Sequence, residues 1–215
     1  MYLSKLTLNP YSRQVQRELG DPYQLHRTIM RGFPVTLPED ERVLYRLDAA
    51  PRSNELLLLV QSIHQPDWAA LRDTDRGQYL LEAPQPPKVF KPNLTAGSVL
   101  RFRLRANPTI KKQREDHRNG NRVPLVHEDE QIEWLKRKGE QHGFQILQVQ
   151  VSGNDEVSGW KKDEGQAHKL QFYAVQFDGI LQVTDPGLFA VSIQAGIGSA
   201  KGFGFGLLSL APAPS

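Results

Sequence analysis

Tyr23, His26 and Arg27 fall within the stretch Asp21-Pro-Tyr-Gln-Leu-His-Arg-Thr-Ile-Met-Arg31 at spacings of three and four residues. On a helix, residues so spaced are neighbours on one face. Asp21 is a good N-cap and Pro22 a good first helical residue, so a helix from Pro22 to about Gly32 is expected. Gln24 stands where a capping-box partner would sit. His26 then lies in the second turn, near the positive end of the helix dipole. That field and the charge of Arg27 both favour a neutral imidazole. Near pH 7 such an imidazole accepts a proton. Tyr23 can donate a hydrogen bond, and Arg27 can hold a phosphate with two donors. These are the parts for cutting RNA with its own 2′-hydroxyl. A base takes the 2′ proton, a cation steadies the charge on phosphorus, and an acid protonates the departing 5′ oxygen. No metal is called for. His64, His117, His127, His142 and His168 lack this company and read as surface or packing residues. His127 and His142 flank a helix, too far apart for metal ligation from neighbouring turns.

A second stretch with chemical potential is Gly196-Ile-Gly-Ser-Ala-Lys201-Gly-Phe-Gly-Phe-Gly206. Glycine accepts positive φ and lets another backbone approach, so the loop presents bare N–H groups suited to phosphate. Lys201 precedes Gly202 rather than a Ser or Thr, which excludes a Walker loop. A dinucleotide fingerprint belongs in an early βαβ unit, and this loop runs into a final strand. Lys201-Gly-Phe-Gly-Phe205 matches the start of an RNA-recognition strand motif, but Gly206 and Leu208 replace its later key positions. Gly198, Gly202 and Gly204 are expected to keep a path open for an RNA backbone, with Lys201 facing phosphate.

Basic residues gather elsewhere too. Arg101, Arg103 and Arg105 alternate with Phe102, Leu104 and Ala106, so one strand face carries the three guanidiniums. Lys111, Lys112, Arg114, Arg118 and Arg122 fall in an expected loop. Lys161 and Lys162 follow Trp160 in another. Lys136-Arg137-Lys138 reads as the solvated face of a helix.

The elements that must carry these residues follow from punctuation and periodicity. Leu3–Leu8 reads as a strand and Tyr11–Leu19 as a helical stretch. After the helix of His26, with Leu25 and Ile29 facing the core, come strands at Val43–Ala49 and Glu55–Ile63. A short helix at Pro66–Arg72 and a strand at Gln78–Glu82 complete a β-α-β-β-α-β order. Residues 83–97, rich in proline, read as a stiff linker. The order then repeats: a strand at Ser98–Ala106, and a helix at Glu128–Gly143 with Ile132 and Leu135 inward. Strands at Phe144–Ser152 and Leu170–Gln176 follow, with Ile180–Val183 either continuing the latter or forming its own. A helix from Thr184 to about Gln194, the glycine-rich loop, a strand to Leu210 and a frayed tail end the chain. The expected fold class is α+β: two tandem ferredoxin-like (RRM-like, βαββαβ) domains at 1–82 and 98–215.

The 215 residues hold no cysteine, which excludes disulfides, thiolate zinc sites and cysteine nucleophiles, and suits a reducing cytoplasm. The N-terminus lacks a signal-peptide pattern, and no stretch approaches the ~20 apolar residues of a membrane span. Net charge is only +3, so charge matters here through its clustering.

Met1-Tyr-Leu-Ser-Lys-Leu, Tyr23-x-x-His26-Arg27, Arg103-Leu-Arg-Ala-Asn-Pro-Thr109 and Gly196-Ile-Gly-Ser-Ala-Lys-Gly-Phe-Gly204 together resemble the CasE family over almost the whole chain. These are the RNA-processing endoribonucleases of the subtype I-E CRISPR Cascade complex. The resemblance implies tandem ferredoxin-like domains and metal-independent cutting at the base of a repeat hairpin. It implies products ending in a 5′-hydroxyl and a 2′,3′-cyclic phosphate. It implies His26 as the catalytic histidine, Tyr23 as its tyrosine and Arg27 as the assisting basic residue. Arg31 stands where relatives can carry Lys. The family grips the hairpin with basic strands and loops of its second domain, which carries over to Arg101, Arg103, Arg105, Lys161 and Lys162. The implied partners are CRISPR repeat RNA, as precursor and mature guide, and other Cascade subunits, with no membrane, metal or cofactor. The rivals are an RNA-binding protein that stacks bases across an open sheet without chemistry, and a structural subunit that has lost cleavage. Fold alone does not choose among them.

Overall fold

A computed structural model describes residues 1–49, 55–114, 117–163 and 166–213, with side chains described outside 112–121, 154–155 and 160–170. Strand β1 is Tyr2–Leu8, in which Ser4, Leu6 and Leu8 turn inward and Lys5 faces solvent. Asn9-Pro10 stops it. Ser12 caps helix α1, Arg13–Leu19, by accepting from the N–H of Val15. Helix α2 is Pro22–Met30. Strands β2, Leu44–Ala49, and β3, Leu56–Ser62, form a hairpin. Helix α3 is a single turn, Ala69–Arg72, and strand β4 is Lys88–Val89. The sheet order is β2-β3-β1-β4, antiparallel throughout, which is the ferredoxin-like arrangement. Leu25 and Ile29 of α2 bury against a core that includes Leu58, Val60, Tyr45 and Trp68. Each such apolar side chain contributes ~1.5–3 kcal/mol by leaving water.

The pattern recurs in β5, Val99–Ala106; β6, Thr109–Arg114; β7, His117–Pro124; α4, Glu128–Gln141; β8, Phe144–Asp163; β9, Gln166–Val183; α5, Pro186–Ala195; and β10, Leu208–Pro212. Here the order is β10-β5-β9-β8, the same ferredoxin-like arrangement, with β6 and β7 as a separate hairpin. Trp134 of α4 stacks on Phe177 of β9 at 6.2 Å between centroids, and Phe144 meets Phe189 of α5 at 5.2 Å. The chain divides into two units. The first holds Met1–Pro92, Val157–Gln171 and Lys201–Gly204; the second holds the remainder.

Several expectations need correcting. Gln78–Glu82 is not a strand. It makes a bridge from Leu80 to Leu8, flanked by hydrogen bonds from Asn9 N–H to Tyr79 O and from Leu81 N–H to Thr7 O. The rest of that edge is β4, inside the stretch expected to be a linker. Pro84, Pro86 and Pro87 explain the break, since proline cannot donate to a ladder. The first unit therefore runs past residue 82 to Pro92, and it recruits two later segments that no contiguous boundary could assign.

The basic stretch after residue 108 is a hairpin, not a loop, pairing Ile110 with Val123 and Lys111 with Arg122. β8 continues beyond Ser152, past Gly153 at φ 66, because β9 is nearly as long and pairing overrides the local turn signal. Lys161 and Lys162 thus lie on a strand; their side chains, like those of Lys112, Arg114 and Arg118, fall outside the described residues. Leu170–Gln176 and Ile180–Val183 are one strand. In α4, Leu135 is buried as expected, but Trp134 is buried beside it and Ile132 is only half-buried. β10 extends through Ala211 and Pro212, so the tail is ordered further than expected. The connection at 50–54 lies outside the described residues.

Candidate active site

The site is built on α2. Asp21 accepts from the N–H of Tyr23 at 3.1 Å, and Pro22 opens the helix, as its sequence demands. The capping box does not form: the N–H of Asp21 donates to Glu18 O instead of to a Gln24 side chain. With Leu25 and Ile29 fixed in the core, Tyr23 and His26 are left half-buried and Arg27 exposed.

His26 has a buried side and an open side. Its Nδ1 is buried with no hydrogen-bond partner, which leaves Nε2 as the nitrogen that meets solvent. The ring is walled by Tyr45, 6.4 Å away between centroids at 22°, and by Phe203 at 6.5 Å. A Cβ added to Gly202 would stand 3.8 Å from His26 Cε1 and 3.9 Å from Nδ1. The glycine-rich stretch therefore meets the helix within the first unit, through Lys201–Gly204. Burial lowers the His26 pKa below the ordinary 6.5. The cause is loss of solvation by burial. Protonation would place a charge in a pocket that is largely shielded from water.

The sign of the pH dependence follows. The unfolded chain takes up this proton near 6.5, the folded chain only at lower pH. The stabilising contribution is complete above 6.5 and is lost as pH falls through the lowered folded value. The basic form of His26 persists over the same window. The subsaturating cleavage rate, which reports the free enzyme, should hold its plateau at pH 6.5 and fall only in more acid solution. A midpoint at or above 6.5 would contradict this.

The glycines divide by cause. Gly204 has φ 86, and a Cβ there would come within 3.2 Å of the Tyr45 ring. Gly198 has φ 87 and the same clearance from Trp134. Both positions are required by backbone and packing, which is the positive-φ use of glycine and leaves their part in RNA passage to the proposal below. Gly202 has neither constraint. Gly204→Val should cost about 2 kcal/mol or more. Gly202→Ala should leave the melt equal or slightly raised while placing a methyl beside His26. Equal melting of the two variants would reject this division. The Arg-x-Arg-Ala-Asn-Pro motif scaffolds the same stretch. Gly206 N–H donates to Arg105 O, Ser199 Oγ donates to Asn107 O, and Asn107 Oδ1 accepts from Tyr173 N–H.

Other expected site residues are placed differently. Arg27 lies on the exposed side of α2. It lines a cavity of about 460 Å³ with Gln14, Arg17, Gln24, Thr28 and Arg31. Arg31 donates to Thr74 Oγ1 and to Ala70 O, both at 3.0 Å, so two of its donors serve the fold. The arginine ladder does alternate as expected, Phe102, Leu104 and Ala106 being buried. Its guanidiniums have protein partners: Arg101 with Pro212 O, Arg103 with Asp178 at 2.6 Å, and Arg105 over Phe205 at 5.7 Å. A cavity of about 480 Å³ on that sheet is lined by Arg101, Arg103, Gln148, Gln150, Asp178 and neighbours. Its one aromatic lining residue, Phe102, is only 4 % exposed. Lys201–Phe203 is a 3-10 turn rather than a strand, and Phe205 is buried. The Lys201–Phe205 segment therefore does not form the base-stacking strand that the motif requires. Tyr45 and Phe203 are the members of the site that sequence reasoning missed. Phe203 carried a signal, as an aromatic ring in the glycine-rich stretch. Tyr45 carried none. Among the described residues no three His, Cys, Asp or Glu converge as metal ligands, and no helix is long and apolar enough to cross a membrane.

A tandem ferredoxin-like protein with a histidine set against a glycine-rich turn is the class that fold and site define. Residues 1–212 match the family described as CRISPR associated protein, and the chain belongs to that family. It is 38% identical to the CRISPR-associated endoribonuclease Cse3 of Thermus thermophilus, covering 99% of this chain and 100% of that protein. It is 32% identical, with the same coverage, to the CRISPR system Cascade subunit CasE of Escherichia coli. Among solved structures it is similar to Cse3 bound to a 19-nucleotide RNA, with a TM-score of 0.84, 39% identity, and coverage of 99% of this chain and 100% of that one.

Proposed function

We propose that this protein is an endoribonuclease that cuts precursor RNA at CRISPR repeat hairpins to release guide RNAs. The observation that carries the proposal is the His26 imidazole, kept neutral by burial, with one nitrogen sealed and the other open. Nε2 takes the proton of a 2′-hydroxyl, and the 2′ oxygen bonds to the adjacent phosphorus. The bond from phosphorus to the 5′ oxygen breaks as that oxygen takes a proton from water, leaving a 2′,3′-cyclic phosphate and a 5′-hydroxyl, and the proton on Nε2 then returns to the hydroxide left in solvent. Tyr23, one turn before His26 on α2, donates a hydrogen bond to the reacting phosphate. Arg27 steadies its charge from the neighbouring cavity. No metal takes part.

Binding rests on the basic surface. Lys201 and Gly202 present the turn beside His26. Gly198 and Gly204 hold that turn's path, and Arg31 holds the end of α2. Lys161 and Lys162 lie on β8 just beyond Gly159, where an added Cβ would stand 2.9 Å from the Asp21 cap. This puts their backbone near the start of the catalytic helix. Arg101, Arg103 and Arg105 offer charge along β5, where RNA phosphates would compete with their present partners. Such contacts read an RNA hairpin by its shape and backbone. The Escherichia coli relative is named as a Cascade subunit, which supports other Cascade subunits as partners. The absence of cysteine suits work in the cytoplasm.

The test is direct. A panel of 5′-labelled RNAs carrying CRISPR repeat hairpins is incubated with the protein in EDTA. A single cut with a cyclic phosphate end supports the proposal. Binding without any cut, with or without EDTA, returns the protein to a non-catalytic role.

A further inference from the structure

Tyr45 is 1 % exposed on β2, in register with Val60 of β3, so its backbone is held in a sheet. Its ring fills core volume as a phenylalanine would. Its hydroxyl has other business. The oxygen lies 3.2 Å from the carbonyl of Pro22, which opens α2, and 3.2 Å from the carbonyl of Gly202. A phenol has one hydrogen to give, so two carbonyls from distant parts of the chain share one donor. The ring lies nearly parallel to the His26 imidazole, 22° between planes. On its edge, Gly204 leaves no room for a side chain, since a Cβ there would stand 3.2 Å from Tyr45 Cε2. One buried residue thus touches the start of the helix, the histidine and two glycines of the turn.

We propose that Tyr45 is a positioning residue for His26, its ring fixing the imidazole plane and its hydroxyl fixing the glycine turn against the first turn of α2. The inference rests on the catalytic reading of His26. The sheet supplies the rigid base, and Tyr45 transmits it to a histidine that makes no hydrogen bond of its own through Nδ1. Without the ring, the imidazole gains room to turn and water reaches Nδ1. Without the hydroxyl, the turn and the helix lose their common tie. Misplacement of a reacting group by about 1 Å is enough to cost rate heavily.

The experiment uses the full chain and two variants, Tyr45→Phe and Tyr45→Leu. The His26 ring protons are assigned by their loss in His26→Ala and followed by NMR as pH is varied. Tyr45→Phe should shift those resonances while keeping the titration midpoint low. It should slow single-turnover cleavage of whichever repeat hairpin the parent cuts by about 3–10-fold, with affinity within about twofold. Tyr45→Leu should bring the His26 midpoint up toward 6.5. Parent-like ring resonances and midpoint in the variants overturn the proposal, whatever their melting temperatures. If Tyr45→Leu does not fold, Tyr45→Phe decides alone by the same ring resonances. If the parent cuts no hairpin, the catalytic reading has failed, and the titration still judges the role of Tyr45.

Discussion

His26→Ala lowers the single-turnover cleavage rate by about 10²–10⁴-fold and leaves hairpin affinity nearly unchanged. The reason is geometric. Nδ1 is sealed against Tyr45, Gly202 and Phe203, so Nε2 alone can take the 2′ proton. In the proposed function, binding is spread over basic residues elsewhere and does not depend on a neutral ring. A substrate carrying 2′-deoxyribose before the cut should bind and stay intact, because the nucleophile itself is missing. The measurement is cleavage at saturating enzyme with the binding curve taken in parallel. Parental cutting of the deoxy substrate would end the 2′-hydroxyl mechanism. Parental cutting by His26→Ala would move the base to another residue.

Glu18→Ala is expected to cost about 3 kcal/mol or more, read as a fall in melting temperature of roughly 6–12 °C. Glu18 is 5 % exposed and accepts three hydrogen bonds: from Tyr79 Oη at 2.6 Å, from Thr28 Oγ1 at 2.6 Å and from Gln14 Nε2 at 2.8 Å. Alanine leaves two buried hydroxyls without their acceptor, each at about 1–3 kcal/mol. Burial and the nearby Glu18 carboxyl push the Tyr79 phenol far above its ordinary value, so it stays a donor. Glu18→Gln keeps one acceptor oxygen and should fall between the parent and alanine. Thr28 belongs to α2, so this network also seats the helix that carries His26. A Glu18→Ala melt within about 1 °C of the parent, well under the shift expected for one lost buried hydrogen bond, would mean that water replaces the network at no cost.

Much of the frame was legible in the sequence because its signals are local. Asp21-Pro22 opens a helix by capping chemistry alone, and Leu25 and Ile29 mark its inner face by spacing. Arg101, Arg103 and Arg105 declare a strand face by alternation. The order of elements followed from these. What stayed hidden depends on partners distant in sequence. β4 is two residues among prolines, and it is a strand only because the edge of β1 needs covering. β8 passes a Gly-Asn-Asp sequence that reads as a turn because β9 runs beside it. Arg31 stands where relatives can carry Lys, and it spends two donors on Ala70 and Thr74. Tyr45 looked like any core aromatic, since nothing near it in sequence announces Pro22, His26 and Gly202.

The tie between Tyr45 and Gly202 spans 157 residues, and this sets a timetable for the protein on the ribosome. The helix with His26 is synthesised early and can fold with its own sheet. The turn that seals Nδ1 arrives only when Lys201–Gly204 leaves the exit tunnel. Until then His26 lacks the Gly202 and Phe203 side of its pocket. The finished pocket around His26 is therefore a late event in the life of each molecule. A product released before residue 201 would lack the turn that packs beside His26.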